Sequence, residues 1–346
     1  MTNKTYRAGV IGLGMIGGAD PISADALGQK VENMDGTHAV TYQKNPRVKL
    51  VAGSARDAGR RDRFAARTGA KTYADWREML DKESLDIVSI ATYSPSHAEI
   101  AVGCAEKGIK VVYCEKPVAT KLADAERMLD ACRKSKTLLL FNHQRRFDPN
   151  HRRLRQLIAD GRLGEITSAV LQWSTGRLGN VGTHVLDGLM MVTQSRYRSL
   201  SATLDLSGKP DCRGTEFQDP GGWGTLRLAN GTVAVVNAPD YSKTGFQTEI
   251  NGTKGRAWIK GMSVTVEADG KTENWPAIAD GSTNMDRALV EIIDYLDQGT
   301  PFSCSPDDAV HILEVIVGFH ASHAHGSTWL NLPLKGQDRD IEVKTG

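Results

Sequence analysis

The sequence predicts an α/β protein in which an N-terminal doubly wound parallel sheet is followed by a C-terminal α+β domain with a large, mostly antiparallel open sheet. Up to about residue 142, short apolar runs alternate with helical patterns, which is typical of a parallel sheet covered by helices. Later strands are joined by turn signals such as Asn230-Gly231, which favour hairpins. We therefore expect one domain at residues 1–142 and a second at residues 143–346.

The composition narrows the classes of protein that the chain can belong to. Its 43 basic and 41 acidic residues give a net charge of +2, so we expect no nucleic-acid partner. No apolar run approaches the roughly 18 residues of a membrane span, and the N-terminus shows no signal-peptide pattern. The five cysteines form no CxxC pair, which predicts free thiols in a cytoplasmic protein without a metal site.

A glycine-rich turn follows the first predicted strand, where residues 12–17 read GLGMIG. In this GxGxxG pattern the first glycine permits a tight turn, and the second lets a pyrophosphate approach the backbone. The third glycine allows a helix to pack closely on the strand. Because the pattern lies within repeated β–α units, it predicts a dinucleotide site that includes Gly12, Gly14, Met15 and Ile16.

The helix expected after this turn is interrupted by a polar, glycine-containing insertion at about residues 18–37. The helical pattern resumes near His38. Long loops in compact domains are often functional, so we predict that the insertion closes over the cofactor or the substrate. A tolerated surface excursion is the alternative, because long loops add little entropic cost.

The end of the second predicted strand indicates which cofactor to expect. A carboxylate that binds the adenosine ribose 2′-hydroxyl is usual there, whereas this chain has Ser54 and Ala55, with Arg56 and Arg60 close behind. A hydroxyl and guanidinium groups suit a 2′-phosphate better, so NADP is favoured over NAD. NAD stays open, because Asp57 could still bind the ribose and the arginines could be only the solvated face of a helix.

Two further strands end in polar residues at the carboxyl edge of the parallel sheet, where ligands bind. One strand leads to Thr92 and His97, and the next ends in Glu115, Lys116 and Pro117. We expect Thr92, His97, Glu115 and Lys116 to contact the cofactor. Lys116 would also hydrogen-bond a substrate hydroxyl, with Pro117 fixing the backbone beneath it. The alternatives are a packing role for His97 and a surface pair for Glu115 and Lys116.

In the second half, the chemistry is concentrated at residues 179–187, which read GNVGTHVLD. We expect Thr183 to cap a helix and His184 to lie in its first turn, where the helix dipole disfavours an imidazolium. A neutral imidazole is what a general base needs. Asp187 would lie on the same face and could orient the ring. A core histidine that is satisfied by Asp187 is the alternative.

Taken together, these motifs resemble the glucose–fructose oxidoreductase/inositol dehydrogenase family, Gfo/Idh/MocA, over nearly the whole chain. The marks are GLGMIG at 12–17, EKP at 115–117, RFDP at 146–149, GEI at 164–166 and GTHVLD at 182–187. The resemblance implies a Rossmann domain and a second domain whose sheet often mediates homodimers or homotetramers. It also implies NAD(P)-linked oxidation of a secondary alcohol on a sugar, sugar derivative or polyol.

The resemblance also implies roles for individual residues. Lys116 matches the family's catalytic lysine, which would stabilise the alkoxide-like oxygen, and His184 matches its histidine, which would remove the hydroxyl proton. The family commonly has aspartate four residues before the histidine, whereas this chain has Asn180, which we expect to hydrogen-bond the substrate. The resemblance further points to a cis bond between Lys116 and Pro117.

The remaining contacts to a carbohydrate substrate are less constrained, and the candidates are Asp187, Arg145, His143 and Tyr93. Two other functions stay open. An oxidoreductive glycoside hydrolase of the same fold would release an aglycone without net formation of reduced cofactor. A non-catalytic, cofactor-sensing regulator would need neither the lysine nor the histidine, so the presence of both argues against it.

Overall fold

The computed structural model describes residues 4–26, 34–207, 214, 216–240 and 245–345. The chain divides into two compact units. The N-terminal domain comprises the described residues of Met1–Ala119, Asp124–Asn142 and Gly281–Asp307. The C-terminal domain comprises those of Thr120–Ala123, His143–Asp280 and Asp308–Gly346.

The segment Gly281–Asp307 lies in the first unit, although the sequence alone places it in the second. Part of its attachment is polar, because the Asp297 carboxylate accepts hydrogen bonds from the Tyr6 hydroxyl at 2.6 Å and from the Arg47 guanidinium at 3.0 Å. A helical pattern shows which face of a helix is apolar, but it does not show which sheet that face covers. The sequence therefore could not assign this segment.

Fifteen strands are present among the described residues, and all are short. They are β1 (Tyr6–Ile11), β2 (Val48–Ser54), β3 (Lys71–Tyr73), β4 (Ile87–Ile90), β5 (Val111–Cys114), β6 (Leu138–Phe141), β7 (Ile166–Gln172), β8 (Tyr197–Asp205), β9 (Gly221–Leu228), β10 (Val233–Ala238), β11 (Gln247–Gly252), β12 (Gly255–Lys260), β13 (Ser263–Ala268), β14 (Lys271–Trp275) and β15 (Leu330–Asn331).

The α-helices range from single turns to the long C-terminal helix. They are α1 (Met15–Gly18), α2 (Pro21–Ala26), α3 (His38–Lys44), α4 (Ala58–Thr68), α5 (Trp76–Lys82), α6 (His97–Glu106), α7 (Leu122–Ser135), α8 (Pro149–Ala159), α9 (Thr183–Thr193), α10 (Asn284–Gln298) and α11 (Pro306–Ala324). Among the described residues, no helix is both long and apolar enough to cross a membrane.

The N-terminal domain contains a six-stranded parallel sheet in the order β3-β2-β1-β4-β5-β6. Its central strands are buried on both faces, as shown by Ala8 in β1, Ile87 in β4 and Val112 in β5. This burial explains why the strands are continuous apolar runs. The strand order reverses between β1 and β4, and ligands bind beyond the carboxyl ends of the strands at such a point. The predicted doubly wound parallel sheet is confirmed.

The C-terminal domain contains a nine-stranded sheet in the order β14-β13-β12-β11-β7-β10-β9-β8-β15. Its strand pairs are antiparallel except for β7 with β10, so the predicted mostly antiparallel sheet is also confirmed. One face is covered, and Gly318 of α11 packs against Leu200 of β8. Trp223, Val233 and Val235 lie exposed on β9 and β10, so part of the sheet is open.

The insertion begins with a buried ion pair. Helix α1 has only four residues, and Asp20 just after it is fully buried. Burial opposes ionisation of Asp20, but hydrogen bonds from Arg63 and Ser23 and the charge of Arg67 lower its pKa to about 2. The start of the insertion is thereby fixed to α4. Its middle, residues 27–33, lies outside the described residues, so closure over the cofactor or substrate stays a prediction.

The described cysteines are Cys104, Cys114, Cys132 and Cys304, and all four are buried free thiols. Cys212 lies outside the described residues. In the part of the chain that the structure describes, no group of three or more histidine, cysteine or acidic side chains could hold a metal ion.

Candidate active site

The glycine turn after β1 has the geometry that each glycine's expected role requires. Gly12 has a φ of 96°, and a Cβ atom there would lie 2.4 Å from the carbonyl oxygen of Ala91. A Cβ atom on Gly17 would lie 1.9 Å from the Gly12 carbonyl oxygen. At Gly14, by contrast, a Cβ atom would meet nothing within 4 Å. The backbone at Gly14 is therefore open to a ligand, and the turn fits a pyrophosphate.

The end of β2 is followed by two arginines, Arg56 and Arg60, that are expected from the sequence to lie near the cofactor's ribose. The Asp57 side chain accepts a hydrogen bond from the Arg60 backbone N–H at 2.7 Å and so caps α4. The Arg61 guanidinium donates to backbone carbonyls of the same loop. In the described part of the chain, no group accepts a hydrogen bond from the guanidinium of Arg56 or Arg60. Ser54 is buried at the strand end beside them.

Strand β5 leads directly into Glu115, whose carboxylate is buried. Its Oε1 atom accepts a hydrogen bond from the Asn142 side chain at 2.6 Å and lies 3.1 Å from His38 Nε2. Its Oε2 atom accepts from the Lys116 backbone N–H at 3.3 Å. Burial alone would raise the pKa of Glu115, but the contacts with His38, Lys116 and Asn142 hold it below its ordinary value. The Glu115 carboxylate is therefore ionised, and its contacts fix the backbone at the end of β5.

His38 connects Glu115 to the helix that follows the insertion. Its Nδ1 atom lies 2.7 Å from the Ser89 hydroxyl, which lies 2.6 Å from the Tyr42 hydroxyl. A carboxylate can only accept, so in the neutral imidazole Nε2 donates to Glu115 and Nδ1 accepts from Ser89. This role of His38 could not be predicted from the sequence, because a histidine near a helix start carries no sign of its distant partners.

Lys116 is partly exposed at the carboxyl end of β5, and its peptide bond to Pro117 is cis. His97 is fully buried, with Nδ1 at 3.0 Å from the Pro117 carbonyl and Nε2 at 3.0 Å from the Thr92 carbonyl. Burial holds the pKa of His97 below its ordinary value. His97 thus joins the loops after β4 and β5, and its contact with a cofactor stays a prediction. Tyr93 in the first of these loops is exposed.

In the C-terminal domain, His184 is the second residue of α9, but the expected cap at Thr183 is wrong. Thr183 is already helical, with φ −50° and ψ −40°, as is Gly182 before it, with φ −58° and ψ −35°. A π-helical turn over Leu178–Gly182 runs directly into α9, so the helix starts before the threonine. The Thr183 hydroxyl instead lies 3.0 Å from Nε2 of His143.

Asp219 holds this π-helical turn and was not found from the sequence. Its carboxylate accepts hydrogen bonds from the backbone N–H groups of Gly179 at 2.7 Å and Asn180 at 2.8 Å. It also accepts one from the Thr345 hydroxyl at 3.1 Å. Asp219 therefore fixes the buried turn that contains Asn180 and leads into α9, the helix of His184. No local pattern marks the interaction, because Asp219 is 39 positions away from Asn180.

Asp187 is fully buried, and its carboxylate accepts three hydrogen bonds of 2.6–2.9 Å from Arg146. His143 Nδ1 lies 3.7 Å from the same carboxylate. Burial opposes ionisation, but the charges of His143 and Arg146 hold the pKa of Asp187 below its ordinary value. The rings of His143 and His184 lie 6.0 Å apart at 80° to one another. The structure thus brings His143, His184 and Asp187 together at the first turns of α9. Their roles towards a substrate stay predictions.

A parallel sheet in this strand order, with a glycine turn that is open at its second glycine, defines a dinucleotide-binding domain. Residues 6–143 match the family model described as GFO_IDH_MocA, an oxidoreductase family with an NAD-binding Rossmann fold. This part of the chain, which is less than half of it, is therefore similar to the Gfo/Idh/MocA oxidoreductase family.

Two named relatives and one solved structure show further similarities to this chain. Inositol 2-dehydrogenase of Salmonella typhimurium is 30% identical over 162 residues, which cover 46% of this chain and 44% of the relative. The match therefore spans less than half the length of that relative. Levoglucosan dehydrogenase of Pseudarthrobacter phenanthrenivorans is 28% identical over 298 residues, with 73% of each chain covered. A crystal structure of myo-inositol 2-dehydrogenase from Lactobacillus plantarum has a TM-score of 0.74 at 18% identity, over 95% of this chain and 99% of that one.

Proposed function

We propose that the protein is an NAD(P)-dependent oxidoreductase that acts on a secondary alcohol of a sugar, sugar derivative or polyol. The observation that carries the proposal is the combination of an open glycine turn and Lys116 at the carboxyl edge of the same parallel sheet. The inositol and levoglucosan dehydrogenases named above support the substrate class.

In this proposal each residue has a defined role. The turn containing Gly12, Gly14, Met15 and Ile16 binds the cofactor's pyrophosphate, and the nicotinamide, when bound, supplies the hydride chemistry. His184 removes the proton of the substrate hydroxyl, and the Lys116 ammonium hydrogen-bonds the oxygen and stabilises its developing negative charge.

Reduction of NAD and NADP, followed by absorbance against a panel of sugars, acidic sugars, anhydrosugars and inositols, tests this function. We expect at least one compound to give stoichiometric reduced cofactor. If aglycone is released from glycosides without net reduced cofactor, and deuterium enters C2 in heavy water, the protein is instead an oxidoreductive glycoside hydrolase. Cofactor binding without either reaction would favour a regulator.

The proposed cofactor preference is for NADP, supported by Ser54 and by the guanidinium groups of Arg56 and Arg60. We expect Ala55→Asp to weaken NADP binding at least tenfold, about 1.4 kcal/mol, because the new carboxylate would repel the 2′-phosphate. NAD binding should change much less. Ala66→Asp, on the exposed side of α4, is the matched control for added charge. Titrating both cofactors decides the matter, and tenfold tighter binding of NAD by the native chain would contradict the proposal.

The proposed homodimer or homotetramer forms through the open face of the nine-stranded sheet. Trp223, Val233 and Val235 are exposed on this face, and apolar clusters of this kind often mark interfaces. We expect Val235→Glu to lower the sedimentation coefficient to that of a monomer, because it would bury an unpaired carboxylate. Val290→Glu, at a valine of α10 that is also exposed, should leave the assembly intact. A native chain that sediments as a monomer at micromolar concentration would rule out this assembly.

A further inference from the structure

Arg145 lies beside the helix that carries His184. A Cβ atom added to Gly188 would be 3.3 Å from Cδ of Arg145, so the arginine side chain packs against α9 at that point. Gly188 is four residues after His184, and residues so spaced share one face of a helix. The guanidinium carbon of Arg145 lies 5.3 Å from the ring centroid of Phe246. The Arg145 side chain thus packs on the helix face that carries His184, and its guanidinium lies over an aromatic ring.

Among the described residues, no carboxylate forms an ion pair with the Arg145 guanidinium. The carboxylates of Asp187 and Asp148 favour its charged form from a distance. However, Asp187 accepts hydrogen bonds from Arg146, and Asp148 accepts them from the side chain and backbone of His151 at 2.7 and 2.9 Å. Within the described ranges, no atom accepts a hydrogen bond from the Arg145 guanidinium.

Removing a guanidinium from water without a hydrogen-bond acceptor costs free energy, unless a ligand supplies the acceptor. Burial lowers the pKa of Arg145 to about 10, although the charges of Asp187 and Asp148 act in the opposite direction. Arg145 is therefore still a cation at neutral pH, with donors that are partly removed from water and without protein acceptors. Polar groups in this condition are expected where a ligand supplies the missing partner.

We propose that Arg145 binds a carboxylate group of the substrate, so that the protein acts on an acidic sugar such as a uronic or aldonic acid. The inference rests on the proposed function, because it names the substrate class of the same site. The planar guanidinium of Arg145 can bind a planar carboxylate through two parallel hydrogen bonds. A phosphate dianion would call for a second cation, and the neighbouring Arg146 is already bound to Asp187.

The test compares substrates that differ in the acidic group. Pairs of D-glucose with D-glucuronate and of D-galactose with D-galacturonate are assayed at saturating NADP and, in parallel, saturating NAD, with D-glucose 6-phosphate as the phosphate arm. We expect kcat/KM to be about ten- to hundredfold higher for the acid of at least one pair, the scale of hydrogen bonds to a charged group. Arg145→Gln should remove this advantage by lowering kcat/KM for the acid alone. Arg145→Lys should retain part of it.

Arg153→Gln is the matched control, because Arg153 also stacks on an aromatic ring, Trp275, but donates a hydrogen bond to Glu273. It should leave the ratio of acid to neutral sugar unchanged. The proposal is overturned if the native chain prefers neither acid, if glucose 6-phosphate is the best substrate, or if Arg145→Gln leaves the ratio unchanged.

A binding measurement separates this inference from the proposed function. Calorimetric titration of the cofactor-loaded protein with glucuronate should show at least tenfold weaker binding for Arg145→Gln than for Arg153→Gln. If no sugar is oxidised but this difference is found, the proposed oxidoreductase activity fails and the carboxylate site stands. Equal affinities for glucuronate would overturn the carboxylate site even if neutral sugars are oxidised.

Discussion

Alanine at Lys116 or at His184 should lower kcat by roughly 10²-fold or more, the usual scale for general acid–base and oxyanion contributions. The proposed roles predict that both side chains act on one substrate hydroxyl. The double variant should therefore lose less than the product of the two single losses, since groups that act as a unit are non-additive. Steady-state kinetics of the three variants, with cofactor binding checked separately, measures both effects.

Lys110→Ala is the matched control for loss of a lysine, because Lys110 also lies next to β5 but is exposed and paired with Asp86. Its kcat should stay close to that of the native chain. If Lys116→Ala and His184→Ala both retain near-full turnover, the site assignment is wrong.

Asn180→Asp is an informative companion to these variants, because it introduces the carboxylate that the family commonly has at this position. With a neutral sugar we expect the substitution to be tolerated or beneficial. With an acidic sugar we expect kcat/KM to fall, because two like charges would approach one another. The same variant thus distinguishes simple alcohol oxidation from recognition of an anionic group.

His38→Ala should lower the free energy of unfolding by about 3–5 kcal/mol, since it removes a buried partner of an ionised carboxylate and leaves a cavity. Ionisation of Glu115 contributes stability at pH values above the pKa of the unfolded chain, because its pKa in the folded protein is lowered. That contribution is lost as the pH falls through the folded pKa. The difference between native chain and variant should therefore be largest near neutral pH and shrink in acid, which urea unfolding at several pH values can measure.

His325→Ala provides the comparison, because His325 also contacts a carboxylate, that of Asp338 at 2.8 Å, but at the surface. Exposed pairs contribute only about 0–1 kcal/mol. Similar losses for the two variants would show that the buried contact between His38 and Glu115 has no special role.

The parts of the molecule that the sequence predicted correctly are those with local signals. The spacing of apolar residues and the positions of turn residues predict the two sheets. The spacing of Gly12, Gly14 and Gly17 predicts an open turn, and the geometry at Gly14 matches it. The position of Lys116 follows from a buried strand that ends in polar residues.

The parts that the sequence could not predict depend on partners that are distant in the chain. Asp219 contacts a turn 39 residues earlier, and His38 lies 77 residues from Glu115. The same reason explains the error at Thr183, because a side chain from elsewhere fixes the preceding π-helical turn. No local rule relates such pairs, so only the folded structure shows them.

The ion pair at Asp20 and the contact of His38 with Glu115 fix both ends of the inserted segment. The entropy of closing a loop between two fixed points changes only slowly with loop length. Doubling the number of residues between these anchors would therefore cost only about 0.6 kcal/mol of loop-closure entropy. Selection, or a protein engineer, could therefore change the length of this stretch at a small cost in folding free energy, provided that both anchors are kept.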